Sequence, residues 1–164
     1  MQAKNVLIAA NGTWPNQAIW KPLVDCSDII IACDGAVVQL LQNDIIPNFI
    51  VGDLDSIPQQ MFGSQIEQLG ITVIPMPNQD SNDLAKALQY CKHLDATNID
   101  VIGVEGGRLD HQIGAYFSLC EQGSNAILHL DNWTARLVPS EGLAFNSIEK
   151  GKNISLFAIG TVNG

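Results

Sequence analysis

Apolar residues gather in short runs along the first two thirds of the chain, at 6–10, 29–33, 48–51, 71–74 and 99–104. Each run closes on a polar or glycine-containing turn, a pattern that predicts strands buried on both faces, as in a parallel sheet. Between and after them, residues 36–42, 58–69, 82–94 and 110–122 place apolar side chains at three- and four-residue spacing, which predicts helices. The alternation of strand and helix predicts an α/β fold with a doubly wound, mainly parallel sheet and helices on both faces.

The texture changes after Gly123. Short apolar segments at 126–130, 134–138, 143–145 and 154–159 are separated by turn residues without helical spacing between them, which reads as antiparallel β structure. A boundary is expected near 123–125, dividing an α/β unit over 1–123 from a β unit over 124–164. A sheet of so few strands is marginal alone, so the second unit is expected to pair with another subunit or to belong to something longer.

With 164 residues, 46% of them hydrophobic, the chain can bury a proper core. Its apolar runs fall far short of the roughly 20 residues that span a bilayer. The N-terminal run leads directly into Asn11-Gly12 and lacks the long apolar stretch and cleavage site of a secretory signal, so a cytoplasmic protein without a membrane segment is expected. Cys26, Cys33, Cys91 and Cys120 are too widely spaced for a zinc site or a disulfide framework. The net charge of -9 argues against a nucleic-acid or anionic-membrane surface.

Charge distribution sharpens that picture. No Lys or Arg occurs between Lys21 and Lys86, whereas Asp25, Asp28, Asp34, Asp44, Asp53, Asp55, Glu67, Asp80 and Asp83 all do. Such a surface repels a bare polyphosphate and holds one only through a bridging divalent cation or the few later cations.

In open α/β sheets ligands bind beyond the carboxyl ends of the strands, so the residues following each expected strand are the candidates. The first two, Asn11-Gly12-Thr13 and Asp34-Gly35-Ala36, are also ordinary turn chemistry, and Asp34 alternatively caps the following helix. The third, Gly52-Asp53-Leu54-Asp55-Ser56, places two carboxylates on one side of an extended segment, an arrangement suited to magnesium. In the fourth, residues 79–86, Asp80 and Asp83 suit a helix cap, yet Asp83 and Lys86 share a helical face and would present a metal-seeking and a phosphate-seeking group together. The fifth runs from Gly103 through Gly106-Gly107-Arg108-Leu109-Asp110-His111 into a helix. Its glycines admit a close ligand, the helix N-terminus favours an anion, and Arg108 offers a planar donor fork. The spacing matches neither a Walker A loop nor a dinucleotide fingerprint.

Taken in order, Asp34-Gly35-Ala36, the segment 47–56 (PNFIVGDLDS), Asp80-Ser81-Asn82-Asp83 with Lys86, and 106–111 (GGRLDH) resemble the thiamine pyrophosphokinase family, over roughly residues 5–160. The resemblance implies an N-terminal α/β domain that binds nucleotide and magnesium, followed by a C-terminal antiparallel β-sandwich, here partial, working as a homodimer. It implies transfer of a pyrophosphoryl group from ATP to thiamine, giving AMP and thiamine diphosphate. It also implies magnesium carboxylates at Asp53, Asp55 and Asp83 with Asp34 nearby, and nucleotide contacts from Gly35, Gln79, Lys86, Gly107 and Arg108. Asp110 belongs to the same glycine-rich motif, and either Asp110 or Asp55 would accept the hydroxyl proton. The family's last strands carry a Ser-Asn motif and aromatic residues that hold thiamine at the dimer interface, and no such segment precedes Gly164. Trp133 is a candidate ring contact, with core or interface packing as its other reading.

Three alternatives stay open on the sequence. A nucleotide-sugar glycosyltransferase also uses Asp-x-Asp after a strand, but does not require the 106–111 loop. A pyrophosphokinase of the same fold could serve another alcohol, such as a hydroxymethyl pterin. A nucleotide- or thiamine-binding module without turnover would retain the site and lack the reaction.

Overall fold

The computed structural model describes residues 4–57, 65–78, 80–145, 148 and 150–159. Seven strands form one sheet in the order β4-β3-β2-β1-β5-β6-β7. They are β1 (Asn5–Ala9), β2 (Ile29–Cys33), β3 (Phe49–Gly52), β4 (Thr72–Pro75), β5 (Asn98–Ile102), β6 (Ile127–His129) and β7 (Thr134–Arg136). All neighbouring pairs run parallel except β6 with β7.

Among the described residues the α-helices are α1 (Gln17–Cys26), α2 (Ala36–Gln42), α3 (Gln65–Gln68), α4 (Asp83–His93) and α5 (Leu109–Gln122). The central strands are largely apolar because both of their faces are covered. Along β1, Val6 and Ile8 pack with Leu84, Leu88 and Cys91 of α4 and Leu119 of α5, whereas Leu7 and Ala9 pack with Val37 and Leu40 of α2. The expected doubly wound α/β layering is therefore present, with helices on both faces.

Three expectations need correction. Helix α1 lacks a counterpart in the sequence reading, since Pro22 lies inside it and interrupts the usual signal. Asn16 starts that helix, its side chain accepting from the Ala18 backbone N–H at 3.0 Å. Second, the antiparallel strands expected after Gly123 are present as the β6–β7 pair, but β6 also joins the main sheet. It pairs parallel with β5, Asp100 opposite Ile127 and Val101 opposite Leu128, so the sheet continues across 123–125 and only β7 reverses direction. Third, segments 143–145 and 154–159 form no strand. Without a partner strand their apolar side chains stay in solvent, Leu156 and Phe157 among the most exposed. No β-sandwich is present among the described residues. Of the expected helix at 58–69, residues 58–64 lie outside the described set.

The chain winds outward from β1 to β4, then returns to β5 on the other side of β1. This reversal opens a crevice beyond the carboxyl ends of β1 and β5. The loops that follow those strands are laced together: Ala10 N–H donates to Ile102 O at 2.8 Å, and Gly12 N–H to Gly103 O at 2.8 Å. Gly103 has φ +79°, and a Cβ there would lie 2.2 Å from the Ala10 carbonyl oxygen. Gly103→Ala is expected to lower stability by at least about 3 kcal/mol, from backbone strain plus the clash. Urea unfolding midpoints of the two proteins measure it.

Candidate active site

Three loops deliver carboxylates to one point. Asp34 follows β2, Asp53 follows β3 and Asp83 opens α4, and each offers an oxygen within 4.8 Å of the others. Asp34 is 1% exposed. Its Oδ2 accepts the Ser56 backbone N–H at 3.0 Å, while its Oδ1 is buried with no hydrogen-bond partner among the described residues. Burial raises the Asp34 carboxyl above its ordinary value, the hydrogen bonds from Ser56 oppose that rise, and the charges of Asp83 and Asp55 add to it. The Asp34 side chain does not cap α2, whose N-terminus has no side-chain cap.

Lys86 enters the cluster from α4. Its ammonium donates to Asp83 Oδ1 at 2.9 Å and lies 3.6 Å from Asp53 Oδ2, with only 3% of the side chain exposed. Burial acts to lower its pKa, yet the hydrogen bond and charge of Asp83, helped by Asp53, outweigh it and hold the ammonium above its ordinary value. Three carboxylates against one ammonium carry a formal surplus of two negative charges when all are ionised. That surplus, together with the orphaned oxygen of Asp34, is what a divalent cation would satisfy, and hard oxygen donors are the set magnesium takes.

The same α4 terminus shows how the chain fixes the site. Asn82, not Asp80, caps the helix, its side-chain oxygen accepting the Ala85 N–H at 2.8 Å. Asn82 is further clamped to α5 through Ser118 Oγ at 2.9 Å and Gly114 O at 3.3 Å. Asp80 is exposed and its N–H donates to Asn78 Oδ1 at 2.9 Å. Gly52 leaves room for the cluster, since a Cβ there would lie 3.0 Å from Asp34 Cβ and 3.3 Å from Asp83 Oδ1.

Asp55 departs from the sequence reading. Leu54 adopts φ +72°, so the backbone between the two aspartates is not extended and their side chains are not held as a same-side pair. Asp55 lies outside the three-carboxylate group, exposed on the cleft and accepting from Ser56 Oγ at 2.9 Å.

Asp53, Asp55, Asp83 and Lys86 line an open cleft of about 970 Å³ together with the 103–108 loop, Asp110 and His111. Gly106 and Gly107 both take positive φ, and a Cβ on Gly106 would meet Thr13 Oγ1 at 2.2 Å. Arg108 occupies the N-cap position of α5 without capping it by its side chain. It is 75% exposed and instead forks onto Asp110, with Nε 3.1 Å from Oδ1 and Nη2 2.6 Å from Oδ2. The hydrogen bond from Arg108 holds the Asp110 carboxyl below its ordinary value. These two residues face the same cleft but stand outside the carboxylate cluster. Gly35 abuts Asn11, whose Nδ2 would lie 2.7 Å from a Cβ at that position. Gln79 falls outside the described residues. Sequence reasoning did not single out Ser56 or the Asn82–Ser118 clamp, because both act through backbone geometry and long-range contact, with no local pattern to mark them.

The family model described as thiamin pyrophosphokinase, catalytic domain, matches residues 20–128. Thiamin pyrophosphokinase 1 of Caenorhabditis elegans is 37% identical over 98 residues, covering 54% of this chain and 38% of that protein. Thiamine pyrophosphokinase of Bacillus subtilis (strain 168) is 30% identical over 112 residues, covering 68% and 47%. The chain thus spans less than half the length of these two relatives. Among solved structures, a probable thiamine pyrophosphokinase from Staphylococcus saprophyticus is 29% identical with a TM-score of 0.59, covering 77% of this chain and 65% of that one. Yeast thiamin pyrophosphokinase, at 17% identity and a TM-score of 0.65, covers 79% and 59% and shares the fold. With a catalytic-domain match over most of its length, this chain belongs to the thiamin pyrophosphokinase family.

Proposed function

We propose that the chain carries out ATP-dependent pyrophosphoryl transfer to the hydroxyl of thiamine, giving thiamine diphosphate and AMP. The observation that carries this reading is the grouping of Asp34, Asp53 and Asp83 around buried Lys86 at the carboxyl edge of a family-matched sheet. Asp34, Asp53 and Asp83 would hold Mg²⁺, which when bound neutralises and orients the polyphosphate.

Lys86 keeps positive charge beside the transferred group, where negative charge develops. Arg108 exchanges its exposed partner Asp110 for phosphate oxygens, and the backbone N–H groups opening α5 add a partial positive charge. The thiamine hydroxyl oxygen attacks the β-phosphorus, the bond from that phosphorus to the oxygen bridging to the α-phosphate breaks, and AMP leaves with the electron pair. The hydroxyl proton passes to a carboxylate lining the cleft outside the cluster, Asp55 or Asp110. The family resemblance supports a homodimer, and the exposed apolar residues of 154–159 offer surface for one. Four free cysteines fit a reducing, cytoplasmic setting.

The test is product identity. Incubated with Mg²⁺, ATP and thiamine, the protein is expected to release AMP in step with thiamine diphosphate, resolved by chromatography. ADP with thiamine monophosphate, or no product, overturns the reading.

A further inference from the structure

The sheet has a second concavity, at the edge opposite the carboxylate cluster. β1 and β5 begin there with Asn5 and Asn98, β6 begins there with Ile127, and β7, running the other way, ends there with Arg136. Together with the last turn of α1 these strand ends line a cavity of about 350 Å³. The four residue rises of β5, from Asn98 to Ile102, set about 13 Å between this edge and the loops of the cleft.

One group in the cavity lacks what burial demands. Arg136 lines it and is partly buried, and its Nε is buried outright with no hydrogen-bond partner among the described residues. The nearest acid by register is already engaged. Asp100 stands opposite Ile127 and Ile127 opposite Arg136, so the three side chains share one face of the sheet with Ile127 in the middle. Asp100 Oδ1 pairs instead with His129 Nε2 at 2.6 Å. A buried donor of a charged group is rarely left unmatched in a native fold, and a cavity beside it gives room for the acceptor to come from a ligand.

The lining specifies that ligand. Arg136 offers a planar donor fork to a carboxylate. Leu23 of α1, Val6, Ile99 and Ile127 give the cavity an apolar wall. Asn98 and Asn125 also line it, and their side-chain amides donate to Asn5 Oδ1 at 2.8 Å and to the Thr97 carbonyl at 3.1 Å, which leaves their oxygens to accept. Asp100 adds negative charge to the same lining. A multiply charged anion such as phosphate is disfavoured beside these oxygens, whereas a carboxylate that also carries an ammonium or hydroxyl group satisfies both sides. The volume is at the small end for ligand pockets and suits a molecule of about ten non-hydrogen atoms. We propose that this cavity binds a small apolar α-amino acid or its α-hydroxy counterpart, held by its carboxylate on Arg136 and independent of the catalytic cleft.

Leucine and α-hydroxyisocaproate are the probes, titrated separately into the nitrogen-labelled whole chain and followed by amide chemical shifts. At least one is expected to shift the amides of Asn98, Asp100, Ile127 and Arg136 saturably, with a Kd in the millimolar range, and to leave those of the 103–108 loop in place. The tighter of the two shows whether an ammonium or a hydroxyl meets the acceptors. Arg136→Gln is expected to weaken that binding about tenfold or more, and Arg136→Lys, which keeps the charge without the fork, should fall between. The dispersion of each variant's spectrum checks that it folds. Isocaproate, which lacks the second donor, should bind several-fold more weakly, and isopentylamine, which lacks the carboxylate, should not bind. The site is overturned if neither probe gives a saturable shift, if the shifts fall on the cleft loop, or if Arg136→Gln binds as the wild type does. Isopentylamine or inorganic phosphate matching the better probe overturns the assignment to a carboxylate with a neighbouring donor.

Discussion

Asp53→Ala is expected to cut the rate of AMP release from ATP and thiamine on the order of a thousandfold, the scale of losing one preorganised charge at a reacting phosphate. Asp53 holds one corner of a carboxylate triangle whose oxygens lie within 4.8 Å, and Asp34 contributes an oxygen that has no other partner among the described residues. Removing Asp53 leaves two carboxylates and one ammonium, a formal surplus of one negative charge that no longer matches a divalent cation. The dependence on Mg²⁺ should therefore shift to higher concentration along with the loss of rate. Asp55→Ala is the informative companion. Asp55 lies outside the triangle, so its loss should leave the Mg²⁺ requirement unchanged even if it removes a proton acceptor. Rate measured against Mg²⁺ concentration for the three proteins decides the matter. A wild-type Mg²⁺ profile for Asp53→Ala, or a right-shifted one for Asp55→Ala, would return the metal to the Asp-x-Asp pair that the sequence suggested.

That Asp34, and not Asp55, stands in the three-carboxylate group shows where sequence reading stops. The order of motifs was legible because each expected parallel strand ends in polar residues at the same edge of the sheet, and the α/β layering followed from strands apolar on both faces. Membership of the site was harder. Two carboxylates two residues apart face one way only if the residue between is extended, and Leu54 at φ +72° is not, a conformation no local pattern around an ordinary leucine announces. From the residues alone Asp34 kept a second reading as a cap, because Asp-Gly before a helix is common turn chemistry, and only the resemblance put it near the metal; its hydrogen bond comes from Ser56, twenty-two positions later. Similarly, β6 read only as part of an antiparallel unit because the direction of a short strand is set by its neighbours, and one of them is β5. Asp83 with Lys86 was the pairing that spacing alone identified, since three residues on a helix put side chains on one face.

Lys86→Met is expected to destabilise the metal-free protein by about 3 kcal/mol, the lower end of what removing one partner of a buried ion pair costs. The lower end applies because Asp53 and Asp83 keep 23% and 34% of their side-chain surface in water and are partly screened. In a chain of this size that corresponds to a fall in Tm of roughly 6 to 12 °C. The pH dependence follows from the direction of the shift. An ammonium held above 10.5 contributes stability that is complete below that value and lost as pH rises through the folded-state pKa, so the deficit of the variant should be full at neutral pH and shrink in strong alkali. Magnesium adds a second handle. Without Lys86 the triangle carries three formal negative charges and nothing to offset them, so the ion should bind the variant more tightly and raise its Tm by more than it raises the wild type's. The stability gap between the two proteins should therefore close as Mg²⁺ is added, whereas the catalytic gap should stay open, because the ammonium that steadies the transferred group is still missing. A stability gap indifferent to Mg²⁺ would mean that Lys86 and the metal do not share this site, and the cluster would then be an ordinary buried ion-pair network.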